Sequence, residues 1–167
     1  NITPECDCVW LNSMAWRELV KANRLIFVEW EPIIGKGFAC LETLEYNKKG
    51  LIYAPIGSDW ADEYILSGYV LHIQVLRLWA LTTVNQIESK QIYSDKINQI
   101  RKRIREDYFI YDKTSKSNGY LIASISPAES FKIFDFASII IYTYVFNDDE
   151  ISAKCLNYIY NTFLKTG

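Results

Sequence analysis

Residues 50–81 read GLIYAPIGSDWADEYILSGYVLHIQVLRLWAL, and this stretch decides the fold. Its first half is a loop with Pro55, Gly57, Asp59, Trp60, Asp62 and Glu63. Its second half opens a long apolar segment, Leu66 to Ile87, with Val70, Leu71, Ile73, Val75, Leu76, Leu78, Trp79 and Leu81 on most sides of a helical wheel. A helix apolar nearly all round is a buried helix. Carboxylates beside an indole, where a loop meets such a helix, form the arrangement that acid chemistry on a sugar needs.

Outward from this stretch the helical period persists. Val9, Trp10, Met14, Leu19, Leu25 and Ile26 trace a stripe over Val9 to Phe27. Pro32 suits the first turn of a next helix carried by Ile33, Ile34, Phe38, Leu41 and Leu44, and Gly50 suits its end. Ser94 can cap a charged amphipathic helix over Asp95 to Tyr108. Asp112 to Ser126 is polar and holds Asn118-Gly119, a turn signal. Ile133 to Phe146 is again apolar nearly all round. After the cap-forming run Asn147 to Glu150 comes an amphipathic helix, Ile151 to Phe163. The expectation is an all-α chain of antiparallel helical hairpins in a single domain, very apolar inner helices alternating with more polar outer ones.

Composition narrows the function classes. The chain has 167 residues, half of them hydrophobic, and a net charge of −2. That balance argues against a nucleic-acid partner. The cluster Arg101, Lys102, Arg103 and Arg105 is followed by Glu106 and Asp107 and reads as a solvated helix face. No apolar run reaches membrane-spanning length, and no signal peptide is visible. Cys6, Cys8, Cys40 and Cys155, with His72 alone, complete no metal-ligand set, and they read as buried reduced thiols in a cytoplasmic protein. Gly35-Lys36-Gly37 follows no strand and is not a phosphate loop. The count of 5 Trp, 12 Tyr and 8 Phe leaves rings to spare for sugar stacking once a core is filled.

Four pieces, in order, carry a family resemblance: Thr3-Pro4-Glu5-Cys6-Asp7 before the Trp10 helix; Trp30-Glu31-Pro32 leading to Gly50-Leu51-Ile52; Ser58-Asp59-Trp60-Ala61-Asp62 followed by Gly68-Tyr69-Val70-Leu71 and Gln74-Val75-Leu76; and Phe134-Asp135-Phe136-Ala137-Ser138 leading to Asp148-Asp149-Glu150. Together they resemble the catalytic domain of (α/α)6-toroid glycoside hydrolases, the glycogen-debranching amylo-α-1,6-glucosidase type and its neutral-invertase relatives. The resemblance implies a part of such a toroid, because a closed double ring needs about twice this length. It implies an oligosaccharide substrate, an α-linked glucoside or a relative, and no cofactor or metal. It departs from the family at Ser138, where asparagine is usual, and at His72 and Ile73. The second catalytic carboxylate is expected outside this chain.

Glycosidases use two carboxylates, roughly 6.5–9.5 Å apart in inverting enzymes. The resemblance makes Asp62 the general acid. Burial beside Trp60 and the like charges of Asp59 and Glu63 would keep it protonated. Asp59 reads as a turn residue. Asp7 suits either sugar hydroxyls or the cap of the first helix. Trp60, in a loop, suits stacking; Trp10 and Tyr69 suit stacking or core packing. Gln74 suits an inward polar role or plain burial. Asp135, among Ile133, Phe134 and Phe136, either caps a helix or faces the toroid centre. His72 fits a satisfied core histidine or a site residue. The alternative function is a non-catalytic helical-hairpin module binding a glycan or peptide, against which the lack of a fixed repeat period counts.

Overall fold

The computed structural model describes residues 6–22, 26–46, 50–56, 66–88, 91–126, 135–146 and 148–165. They are predominantly helical. The helices are α1 (Cys6–Ala22), α2 (Ile26–Glu42), α3 (Leu71–Glu88), α4 (Ser94–Arg103), α5 (Phe136–Phe146) and α6 (Asp149–Ile159). Four short strands accompany them: β1 (Tyr69–Val70), β2 (Phe109–Asp112), β3 (Ser115–Leu121) and β4 (Ser124–Ile125).

The apolar helix read from the sequence is the centre of the core. Leu71, Ile73, Val75, Leu76, Leu78, Ala80, Leu81 and Val84 of α3 are all buried, and α3 packs on α1, α4 and α5. Each such leucine or isoleucine contributes about 1.5–3 kcal/mol by leaving water. The Trp10 and Trp79 rings lie 4.7 Å apart, and the Thr83 hydroxyl reaches Met14 Sδ at 3.5 Å. A step of four residues on α1 thus matches a step of four on α3, so the two helices run in the same direction. α2 packs on α1, and α6 on α5.

Several boundaries differ from the sequence expectation, each for a physical reason. Pro32 lies inside α2 instead of opening a helix. It leaves the Val28 carbonyl without its helical donor, but Val28 is exposed and water can serve. α3 begins at Leu71, not Leu66, because Gly68 (φ +87°) joins Ala54 in an antiparallel bridge and Tyr69–Val70 pairs with Ser124–Ile125. The cap of α4 is Tyr93 rather than Ser94, and beyond Arg103 a wide, π-type turn (Ile104–Tyr108) carries the chain into β2.

The polar stretch after Asp112 is not a loop. β2 and β3 pair antiparallel, Phe109 opposite Leu121 and Tyr111 opposite Gly119. The chain reverses at Lys113–Thr114, where Asp112 Oδ1 accepts from the Thr114 N–H at 2.9 Å and from its hydroxyl at 2.8 Å. Asn118 and Gly119 sit within β3. Gly119 is needed for space: a Cβ there would lie 2.4 Å from the Phe109 ring. Asp148 caps α6 as expected, accepting from the Ile151 N–H.

No helix among the described residues is long and apolar enough to cross a membrane. Cys155 is buried, as the sequence suggested, but Cys40 is exposed on α2, in line with the exposed Val28, Pro32 and Lys36. Burial, with Asp148 adding to it, pushes the Cys155 thiol up to about 12 against a hydrogen bond with the Leu121 backbone.

Candidate functional site

The N-terminal end of α3 gathers several chain segments. Ala54 and Gly68 exchange backbone hydrogen bonds at 2.7 and 2.9 Å, which brings together the two flanks of the segment that contains Asp62. The Leu71 N–H donates to the Ala123 carbonyl at 2.7 Å, and the Asp135 N–H to the Leu121 carbonyl at 3.4 Å. The starts of α3 and α5 therefore stand on the same short run, 121–125. Asp59, Trp60, Asp62 and Glu63 lie outside the described residues. Asp7 falls in the first turn of α1, with its side chain likewise outside them.

The approach to that loop is held by side chains instead of a neighbouring strand. Gln74, fully buried, accepts from the Ile52 N–H at 2.9 Å and donates to the Ile52 carbonyl at 2.8 Å and the Val70 carbonyl at 3.1 Å. Its amide is spent on backbone. One turn on, Arg77 donates to the Gly50 carbonyl at 2.9 Å and to Glu45 Oε2 at 3.0 Å. Glu45 also accepts from the Gly50 N–H at 2.7 Å and from Lys96 Nζ at 2.9 Å. Burial pushes the Glu45 carboxyl up, but Lys96, Arg77 and the Gly50 N–H outweigh it and hold the group below the usual range. Neither Arg77 nor Glu45 drew attention in the sequence. The available signal was a lone arginine within an apolar helix, because such a charge needs a buried partner.

The aromatic candidates divide. Trp10 packs on Trp79 in the core, as one of its two readings had it, yet its indole N–H is buried and has no partner among the described residues. Tyr69 is half-buried and meets Tyr53 edge-on at 5.7 Å between centroids; Tyr53 in turn lies 5.8 Å from the exposed Tyr46. On these two extended runs Ile52, Ala54 and Val70 point into the core, so Tyr53 and Tyr69 share the opposite face. Asp135 takes the capping role: its Oδ1 accepts from the Ser138 N–H at 2.9 Å. The Ser138 hydroxyl is buried without a partner among the described residues. His72 is half-buried on α3.

Surface hollows among the described residues lie elsewhere. One of about 340 Å³, lined by Thr82, Asn85, Gln91, Ser94 and Asn98, sits at the far end of α3. Another of about 530 Å³ runs along α4 past Asn98, Arg101, Lys102 and Arg105. The basic residues there are engaged: Arg101 on the Phe146 carbonyl, Lys102 with Glu106, and Arg105 with Asp148 and Glu150. The chain matches no family model, and no curated protein is found similar to it.

Proposed function

We infer that this chain forms part of an (α/α)6-type glycoside hydrolase domain acting on α-linked glucosides or related oligosaccharides. The observation that carries the reading is the shared direction of the odd-numbered helices. α1 runs with α3, and α3 and α5 both start beside residues 121–125. The even-numbered helices run back. α4 leaves from Asn85, whose Oδ1 accepts from the Tyr93 N–H, and its continuation ends with the Tyr108 hydroxyl on the Tyr69 carbonyl. α6 leaves from Asp148, bonded to Tyr142, and brings Cys155 back to Leu121. α2 ends where the Leu44 carbonyl accepts from the Tyr53 N–H. Parallel inner helices backed by antiparallel outer ones are the toroid's architecture, and a barrel's ligand end is where inner helices start beside long loops.

In this reading Asp62 donates the proton to the leaving oxygen, and Trp60 and Tyr69 stack on the sugar. Asp7 and the second oxygen of Asp135 take sugar hydroxyls. The Trp10 N–H and Ser138 hydroxyl, within two turns of the starts of α1 and α5 and without partners among the described residues, are further buried groups with hydrogen-bonding capacity to spare. Gln74 contributes through the backbone it holds. The second carboxylate comes from outside these residues, and the chemistry needs no cofactor. A cytoplasmic setting goes with the free thiols Cys40 and Cys155.

The test is release of glucose from α-1,6- and α-1,4-linked oligosaccharides by the full-length protein. Asp62→Asn is expected to cut the rate by about 10²–10⁴-fold, the share of a general acid, with sugar binding kept. Asp59→Asn is expected to change it little. A second reading, a glycan-binding module without catalysis, is favoured by the Tyr46–Tyr53–Tyr69 row and by the capping duty of Asp135; binding without release in the unmodified protein selects it.

A further inference from the structure

The amide of Gln74 makes three hydrogen bonds, and their addresses matter. Two go to Ile52 and one to Val70. Ile52 is the chain neighbour of Tyr53, and Val70 of Tyr69. One buried side chain therefore fixes the backbones beside both rings. The donors and the acceptor of the amide are all used, so the contact has one geometry. Tyr53 is held twice more, through its own N–H on the Leu44 carbonyl at 3.1 Å and through the Ala54–Gly68 bridge. Glu45 and Arg77 secure the preceding Gly50 from both sides. The outcome is an edge-on pair of half-buried phenol rings, 5.7 Å apart, on a hydrogen-bonded two-run patch beside the start of α3.

We propose that Tyr53 and Tyr69 form a preorganised sugar-stacking pair, a subsite for an α-linked glucose unit, and that Gln74 is the residue that positions it. The proposal deepens the hydrolase reading and rests on it for the class of ligand. A pyranose offers an apolar face to a ring and hydroxyls to its edge. Two rings at a right angle present one face and one edge to the same unit. Rings whose backbones are already fixed cost little ordering on binding. Ile52, Ala54 and Val70 fill the inner face; Tyr69 packs in part against the core, and Tyr53 meets it across the Ala54–Gly68 bridge.

The experiment titrates the full-length protein, labelled with fluorotyrosine, with maltotriose and isomaltotriose, and follows the Tyr53 and Tyr69 resonances assigned through Tyr53→Phe and Tyr69→Phe. Both signals are expected to move on titration. Tyr53→Ala is expected to weaken binding roughly three- to ten-fold, the weight of one aromatic contact, and Tyr53→Phe to restore most of it, since the ring and not the hydroxyl acts. Gln74→Met, which keeps the volume and loses the hydrogen bonds, is expected to shift both resonances without sugar and to weaken binding. Ile159→Ala, a buried change on α6, lowers stability and is expected to leave the resonances alone. Should Gln74→Met not fold, Gln74→Glu, which keeps the acceptor and loses the donor, is measured in its place. Sugar binding that is unchanged in Tyr53→Ala, with hydrolysis lost in Asp62→Asn, overturns the subsite and leaves the hydrolase reading standing. Tyr53 and Tyr69 signals that move with sugar while Asp62→Asn stays fully active support the subsite and remove Asp62 from the mechanism. Absence of any sugar effect on either resonance overturns the subsite outright.

Discussion

Glu45 is the residue on which most depends for least visible reason. Its carboxylate is shared by Arg77, Lys96 and the Gly50 N–H, and Arg77 is among the largest fully buried side chains. Removing one partner of such a set leaves the other charge buried and uncompensated, at about 3–5 kcal/mol. Glu45→Gln should therefore lower the urea midpoint clearly at neutral pH. The pH dependence has a definite sign. The folded value of Glu45 is depressed, so its contribution is complete above the unfolded carboxylate value, about 4.3, and is lost as pH falls through the folded one. The gap between the parent protein and Glu45→Gln should close below about pH 4; urea melts across that range measure it, and a gap that widens in acid refutes the assignment. At this scale the sequence was partly legible. It left Gln74 between an inward polar role and plain burial, and spacing along α3 does not say that Ile52, over twenty residues upstream, would be the partner. Asp135 could be read only as a choice between cap and centre, because the donor that decides it, the Ser138 N–H, exists only once α5 starts at Phe136.

Among the elements, helices were readable and strands were not. The 3.6-residue period of α1, α3 and α6 is carried within each segment. The β2–β3 hairpin depends on contacts made across it. Asn118-Gly119 has the composition of a turn, yet the turn forms at Lys113–Thr114 because Asp112 supplies local acceptors there, while Gly119 is taken up by the Phe109 ring crossing the pair. β3 then packs on α6, and Lys154, paired with Glu150, lies over the Tyr111 and Phe109 rings at 5.2 and 5.8 Å. A residue that reads locally as a turn former is thus fixed by tertiary space. The consequence is measurable. Gly119→Ala places a Cβ against the Phe109 ring and the Ile110 carbonyl, and it should cost about 1–3 kcal/mol as overpacking. Phe109→Leu, which clears the ring, should recover part of that loss in the double variant. Thermal melts of the two single variants and the double one form the cycle, and simple additivity of the two costs would rule out the packing account.

Among the described residues the organising fact is that α3 is buried over most of its surface, opening only along His72, Trp79, Thr82, Asn85 and Gln86, while α5 leaves a whole apolar face open. α3 lies between α1 and α5 and is backed by α4. α5 buries Ser138, Ile139, Tyr142 and Phe146 but leaves Phe136 and Ile140 about half exposed, one turn apart on one face. Leu156 and Tyr160 are similarly open at and just beyond α6, and Val28 and Ile33 on α2. A layer of helices that ends in apolar faces matches the partial-toroid reading, in which another helical pair would cover that edge. The two kinds of site should answer mutation very differently. Leu78→Ala, in the middle of α3, empties space around a fully buried side chain and should cost about 2–5 kcal/mol. Ile140→Ala, on the open face of α5, should change stability by no more than about 0.5 kcal/mol in these 167 residues. The same Ile140→Ala change made in a longer chain of this protein, if further helices pack on α5, should cost a buried isoleucine's share of about 2–5 kcal/mol. Denaturant melts in the two chain lengths measure the difference. Equal small costs in both would mean that the α5 face stays open to water, and the core would then end at α5 instead of continuing around a ring.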